Sequence, residues 1–351
     1  ASDVYKRQEL AGAGGYRTGI VTTSSVTDAT PAAFATHISF RLCENPGQMQ
    51  QVQYSGIELG SCAMDMQANG GPGSIAEQLA VSGTDVILGG GMQHFEPATE
   101  KGDGSVLELA RKSGYQVATT ERELAAALPG RPLLGLFAPG TLPVRLQGED
   151  GRVAEQPEPS LLNRLHRYLG DVTMPAPMTC EPNPAFDRVP TLRTMTETAL
   201  AHLSAGNSRG FFLVVESASI DKQSHERKPC GSIGEVAQLD EALASALAFA
   251  GKHPSTLILV TADHSQAAQL IPYQSLFSSY PIATYTPGYL AIIETPEGGL
   301  MAVNYATTNF QIEEHTGAAV PVYANVEGRE IVPAYLRQPE LFKIMRDYLR
   351  L

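Results

Sequence analysis

The chain has 351 residues, 43% of them hydrophobic, enough to bury a substantial core, since a domain near this size removes roughly 75% of its unfolded surface from water. Its formal net charge of −12 argues against nucleic acid and anionic membrane as partners, because those contacts need clustered Lys and Arg to displace counterions. No uninterrupted apolar stretch approaches the roughly 20 residues of a membrane-spanning helix, and the sequence holds no repeat or low-complexity tract.

Short apolar runs alternate with amphipathic stretches, the pattern of an α/β fold with a mostly parallel central sheet and helices on both faces. A strand is predicted at 18–23 and a helix at 31–40, with Pro31 in its first turn. A helix at 74–81, a strand at 85–88, a helix at 105–113 and a strand at 133–137 follow. Residues 141–190 are proline-rich and irregular apart from a helix at 160–168, and read as an insertion beside the main sheet. A helix at 191–205 leads into a strand at 211–215. The helix at 233–250 carries Val236, Leu239, Leu243 and Leu247 at helical spacing, a stripe assigned to core packing. The last strand of this series is 257–261, and residues 269–306 hold several aromatic and β-prone segments.

Chemistry concentrates where these apolar runs end. The strand at 211–215 meets Glu216, and the stretch Glu216-Ser-Ala-Ser-Ile-Asp221-Lys222-Gln-Ser-His225 sets a second carboxylate four residues before a histidine. On a helical turn, Asp221 and His225 share one face and reach a single ion. Taken alone, an acid and a histidine at that spacing are more often a surface pair. However, the run at 257–261 opens into Asp263-His264, and His315 adds an imidazole beside Gly317. Unrelated surface pairs are not expected at successive strand ends, which shifts the reading to a metal site. Oxygen and imidazole donors without thiolate favour zinc for the Asp/His sets, and an all-oxygen set around Glu216 favours magnesium. The four cysteines, Cys43, Cys62, Cys180 and Cys230, show no Cys-x-x-Cys spacing. They permit three pairings, or four buried thiols.

Seven segments carry a family resemblance: Thr27-Asp28-Ala29-Thr30-Pro31-Ala32-Ala33, Arg41, Asp85-Val-Ile-Leu-Gly-Gly-Gly91, Pro132-Leu-Leu-Gly-Leu-Phe137, the Glu216 to His225 stretch, Thr261-Ala-Asp-His264 and Glu314-His315-Thr316-Gly317. In this order, from about residue 9 to the C-terminus, they resemble the alkaline phosphatases of the bacterial periplasmic type. The resemblance implies hydrolysis of phosphate monoesters through a phosphoserine intermediate. An intact relative would hold two zinc ions and one magnesium ion per subunit, act as a homodimer, and reside in the periplasm or be secreted. Asp221, His225 and His315 would hold one zinc, with Asp263 and His264 contributing to the second. Glu216 and Thr30 would bind magnesium, with Asp28 nearby through water. Arg41 resembles the arginine that clamps the substrate phosphate, and Lys222 the lysine that reaches it through water. The same resemblance pairs Cys43 with Cys62 and Cys180 with Cys230, and puts a small crown-like elaboration near 269–306. The other histidines, His37, His94, His166, His202 and His253, match no site position and are read as structural or surface groups.

The sequence departs from the family at its start. The family's serine nucleophile, and an aspartate shared by magnesium and the second zinc, belong upstream of the segment that resembles Gln8 to Thr30. None of Ser24, Ser25, Ser217 and Ser219 matches the nucleophile motif. Residues 1–8 resemble neither the family nor a signal peptide, which needs a long apolar centre. The expectation is therefore a chain missing its N-terminal part, with a non-native start at 1–8 and the phosphatase-like domain at 9–351. Two other readings stand beside an active phosphatase: a catalytically dead fragment, or a periplasmic metal- or solute-binding protein. A phosphodiesterase, sulfatase or phosphoglycerate mutase of the same superfamily is disfavoured by the context of Asp28, Thr30 and Arg41.

Overall fold

The structure, a computed structural model, describes residues 6–54, 56–166, 169–170, 172–271, 288–308 and 310–351. Its centre is a five-stranded, wholly parallel sheet built from β1 (Arg17–Ser25), β2 (Val86–Gly90), β3 (Gln116–Ala118), β4 (Leu133–Leu136) and β5 (Phe211–Glu216), in the order β5-β1-β2-β4-β3. Alternate residues face opposite sides of the pleat, so β1, β2 and β4 each feed two cores. Ile20, Ile87, Leu134 and Leu136 pack with Ile75, Leu79, Val106 and Ala110 of the helices Ile75–Val81 and Val106–Lys112. Val21, Val86, Leu88 and Leu133 pack with Leu192, Met195, Ala199 and Leu203 of the helix Leu192–Ser204. Burial on both faces is why these strands read as continuous apolar runs.

Three sequence expectations change. The run at 257–261 does not enter the central sheet. Only Leu259–Val260 is a strand, and it pairs antiparallel with Tyr323–Ala324. The fifth parallel strand is Gln116–Ala118, an edge segment too short and polar to stand out by pattern. The stripe on the helix Pro229–Lys252 is not core: Val236 and Leu247 are exposed, and the helix is buried instead through Gly234, Glu235, Gln238 and Ala242. Gly234 lets the backbone of Leu146 approach, since a Cβ there would lie 2.9 Å from the Leu146 nitrogen. The helix at 31–40 is shorter than expected, running Ala29–Ala35, because Thr36 turns to an extended backbone at φ −134°.

The smaller elements flank the sheet. In 141–190, Leu146–Gly148 pairs with Cys180–Pro182 and Glu158–Pro159 with Val172–Thr173. The helix there covers Leu161–Leu165 with Ser160 as N-cap, and Tyr168 lies outside the described residues. In 269–306, Gln269–Ile271, Leu300–Tyr305 and Tyr289–Glu294 form an antiparallel sheet, and residues 272–287 lie outside the described part. Two bridges, Glu155 to Leu290 and Met178 to Ile293, join this sheet to the 141–190 segment. Both disulfides implied by the resemblance form, Cys43–Cys62 and Cys180–Cys230.

Strand β5 has β1 as its only partner among the described residues, and all six of its residues are part-exposed. A cleft of about 2850 Å³ follows this free edge toward Leu259, Val260 and the helix Gln338–Leu349, with Leu239 and Leu243 on its wall. At the C-terminal ends of β1 and β5 it opens onto the polar residues described next.

Candidate metal centre

Strand β5 ends at Glu216, and the chain turns at once into the helix Ser219–His225. One turn of that helix lays Asp221 and His225 on the same face, as the spacing requires. His315 comes from a loop 90 residues further along, and its Nε2 lies 3.0 Å from His225 Nε2. Each of these two Nε2 atoms lies 3.4 Å from an Asp221 carboxylate oxygen. Zinc binds imidazole nitrogen and carboxylate oxygen at about 2.0–2.1 Å, so tetrahedral neighbours stand about 3.3 Å apart. Asp221 meets the two imidazoles on different oxygens, and one ligand atom from each of the three residues lies within 4.8 Å of the others, close enough to share one ion. His225 donates its Nδ1–H to the Glu313 carbonyl at 2.5 Å, which leaves the Nε2 lone pair facing Asp221 and His315.

His264 joins this group more closely than the separate second set expected from sequence. Its ring stacks on His315 with centroids 3.6 Å apart, and its Nε2 lies 3.4 Å from Asp263 and 3.9 Å from Asp221. Its Nδ1 is buried with no hydrogen-bond partner among the described residues. Asp263 is the outermost member, with its side chain 70% exposed. Gln266, which sequence reasoning passed over, donates its amide to Asp221. Its place two residues after His264 is the one signal that points to it.

A second cluster gathers at the adjoining strand ends. Glu216 stands beside Thr22 in the β5–β1 register and accepts from the Thr22 hydroxyl at 2.6 Å. Thr30 also donates to it. Burial pushes the Glu216 carboxyl above the ordinary range, against these hydrogen bonds. Such a group gains from a cation alongside it. Asp28 caps the helix Ala29–Ala35 by accepting from the Ala29 N–H at 2.7 Å, and also accepts from Arg41 at 2.7 Å and from Lys222. Burial raises the Asp28 carboxyl, but the Lys222 ammonium, the hydrogen bonds from Lys222 and Ala29, and Arg41 outweigh it and hold its pKa low. Two cations thus meet at one carboxylate beside the acidic pocket. Arg41 keeps a side chain 59% exposed, with donors to spare.

Behind this cluster, Glu44 accepts from Thr27 at 2.5 Å and lies 3.2 Å from His94, which also meets Asn45 at 3.0 Å. His94 is therefore a buried structural histidine, held neutral by burial against the pull of Glu44 and Asp28. The serines near the strand ends are engaged with protein groups. Ser24 donates to the Ser25 carbonyl at 3.0 Å, Ser25 bonds Thr27 at 2.6 Å, and Ser217 donates to the Glu235 carbonyl at 2.9 Å. Ser219 is buried with no hydrogen-bond partner for its hydroxyl among the described residues.

Residues 3–309 match the family model described as alkaline phosphatase. Streptomycin-6-phosphate phosphatase of Streptomyces griseus is 40% identical over 328 residues, 90% of this chain and 65% of that protein. Alkaline phosphatase of Escherichia coli strain K12 is 38% identical over 350 residues, 98% of this chain and 67% of that protein. The chain thus spans about two thirds of the length of these curated relatives. Among solved structures, the alkaline phosphatase from the Antarctic bacterium TAB5 aligns with a TM-score of 0.63 at 20% identity, over 97% of this chain and 74% of that one, which speaks to the fold. A mutant of that enzyme was solved with magnesium bound.

Proposed function

Because this chain belongs to the alkaline phosphatase family, we propose that its polar cleft is built for the metal-dependent hydrolysis of phosphate monoesters. The observation that carries the proposal is the convergence of Asp221, His225 and His315, with ligand atoms within 4.8 Å of one another, next to Asp28, Arg41 and Lys222. In this reading Asp221, His225 and His315 hold one zinc, Asp263 and His264 serve a second, and Glu216 with Thr30 holds magnesium, with Asp28 beside it. Bound ions of this kind neutralise charge that develops on the phosphoryl group.

The chain's own residues bind and orient the substrate. Arg41 presents a planar guanidinium that can donate two parallel hydrogen bonds to phosphate oxygens, a geometry lysine cannot reproduce. Lys222 adds a compact positive charge from the Asp221 helix. Asp28 keeps both cations at the pocket mouth by binding them on different carboxylate oxygens. The family's route passes through a phosphoserine, and no serine of this chain is assigned that role. The two disulfides favour an oxidising location such as the periplasm or the exterior, and among the described residues no helix is long and apolar enough to cross a membrane. A homodimer is part of the same proposal.

A second reading, a metal- or solute-binding protein, is favoured by the engagement of Ser24, Ser25 and Ser217 in other hydrogen bonds. One experiment separates the two. Residues 1–351 are purified with zinc and magnesium, and bound metal is measured together with hydrolysis of p-nitrophenyl phosphate, for the unaltered chain and for Asp221→Ala. Zinc retained by the chain, lost in Asp221→Ala and accompanied by turnover supports the phosphatase. Zinc without turnover supports the binding protein. Equal zinc in both proteins removes the metal centre from Asp221, His225 and His315.

A further inference from the structure

Two residues outside the ligand sets join the segments that carry His225 and His315. Arg227 follows His225 by two positions, and Glu313 precedes His315 by two. The Arg227 Nε–H donates to Glu313 Oε1 at 2.7 Å, with the two side chains 8% and 0% exposed. The other Glu313 oxygen accepts from the Thr307 N–H at 3.0 Å and the Thr307 hydroxyl at 2.6 Å. Arg227 Nη2 donates to the Phe310 carbonyl at 2.6 Å, and its guanidinium carbon lies 3.6 Å from the centroid of the Tyr289 ring. Every face of this buried pair is thus occupied.

The backbone marks the same place. Arg227 adopts φ +59°, the left-handed conformation that usually falls to glycine where a helix ends. A branched-out cation accepts that strain only when its surroundings hold it. Here they do: the Arg227 N–H reaches the Ser224 carbonyl at 3.1 Å, and the Arg227 carbonyl accepts from Ala154 at 2.9 Å. The Glu313 N–H in turn donates to the His225 carbonyl at 3.0 Å, while the Glu313 carbonyl takes the His225 Nδ1–H.

We infer that Arg227 and Glu313 are positioning residues that brace the helix end of His225 against the loop of His315, fixing the spacing of the two imidazoles and the Nδ1–H tautomer of His225. The inference rests on the zinc reading of Asp221, His225 and His315 given above. The ion pair holds Glu313 in place, and the Glu313 carbonyl, not its carboxylate, selects the His225 tautomer. The carboxylate therefore acts on the metal site only through the loop it anchors.

The test measures zinc affinity of the full chain by competition with a chelator, for the unaltered protein, Glu313→Ala, Glu313→Gln, Arg227→Lys and Asp221→Ala. Loss of groups that orient metal-bound histidines costs about 10–100-fold in metal affinity. That loss is expected for Glu313→Ala, while Glu313→Gln, whose one amide oxygen can accept from Thr307 only by turning its NH2 against the Arg227 Nε–H, should show a smaller part of it. Arg227→Lys, unable to serve Glu313 and Phe310 together, should fall between. Nitrogen chemical shifts of the unaltered metal-free protein should report His225 as the Nδ1–H tautomer, a reading that needs no variant to fold. Zinc binding that Asp221→Ala abolishes but Glu313→Ala and Arg227→Lys leave unchanged would overturn the brace and leave the zinc site standing. Zinc binding indifferent to Asp221→Ala would overturn both. An Nε2–H tautomer at His225 would overturn the brace by itself.

Discussion

Replacing Cys180 and Cys230 together by alanine should cost more stability than removing the other bridge, by an amount set by the loop each one closes. The separations are 50 residues for Cys180–Cys230 and 19 for Cys43–Cys62. In the chain-entropy description, closing such loops restricts the unfolded chain by about 4 and about 3 kcal/mol at 25 °C. Either figure is a large share of the 5–15 kcal/mol that holds a typical domain together. The longer bridge also has a local task. It fastens Cys230, the second residue of the helix Pro229–Lys252, to the strand Cys180–Pro182, three positions after Arg227. The assay is equilibrium unfolding in urea of the two double-alanine variants beside the parent, followed by circular dichroism and by tyrosine emission, since the chain has 13 tyrosines and no tryptophan. A loss below about 1 kcal/mol for Cys180→Ala/Cys230→Ala, or a larger loss from the Cys43 and Cys62 pair, would refute the loop-entropy argument.

Tyr115, buried and hydrogen-bonded to the Thr84 carbonyl at 2.8 Å, has its phenol pushed up to about 12 by burial. The folded chain keeps this proton where the unfolded chain has lost it, so the stability is fully present below pH 10 and drains away through pH 12. At 1.36 kcal/mol per pH unit the loss is about 2.7 kcal/mol, visible as a steeper alkaline fall in the parent than in Tyr115→Phe. Gly90→Ala should destabilise by about 3 kcal/mol or more in thermal or urea unfolding, because its Cβ would sit 1.8 Å from the Gly140 carbonyl oxygen, which belongs to backbone. Unchanged stability would show that the 138–140 turn yields freely. Arg41→Ala should weaken inorganic phosphate by about 10–100-fold in calorimetry of the metal-loaded chain, the worth of charge-assisted hydrogen bonds, and an unchanged affinity would remove Arg41 from the phosphate pocket.

What could be read from the sequence was what is local in the chain. Asp221 and His225 lie one helical turn apart whatever surrounds them, so their spacing alone foretold a shared face. The strands at 18–23, 85–88 and 133–137 announced themselves because both of their faces are covered. The strand at 211–215 did so by its apolar composition although it stays part-exposed. Pairing is a different matter. The run at 257–261 has the same β-rich composition, and nothing in it specified Tyr323–Ala324 as a partner in place of the central sheet. The leucines of the helix Pro229–Lys252 made a regular stripe, yet periodicity cannot say which face meets a neighbour, and small Gly234 and Ala242 allow the closer approach. Arg227 and Glu313 escaped notice because 86 residues separate them and neither stands out among the surface charges.

The free side of β5 has a consequence for how this polypeptide behaves when concentrated. Amides of Phe211–Glu216 that turn away from β1 meet no other strand among the described residues, so they should exchange with deuterium well ahead of those bonded within the sheet. The same row of donors and acceptors, flanked by Phe211, Leu213 and Val215, is a template on which a second extended segment can grow. Light scattering at rising protein concentration should therefore report self-association, and a proline at Leu213, whose amide faces away from β1, removes one free donor and stiffens the edge, and should lessen it.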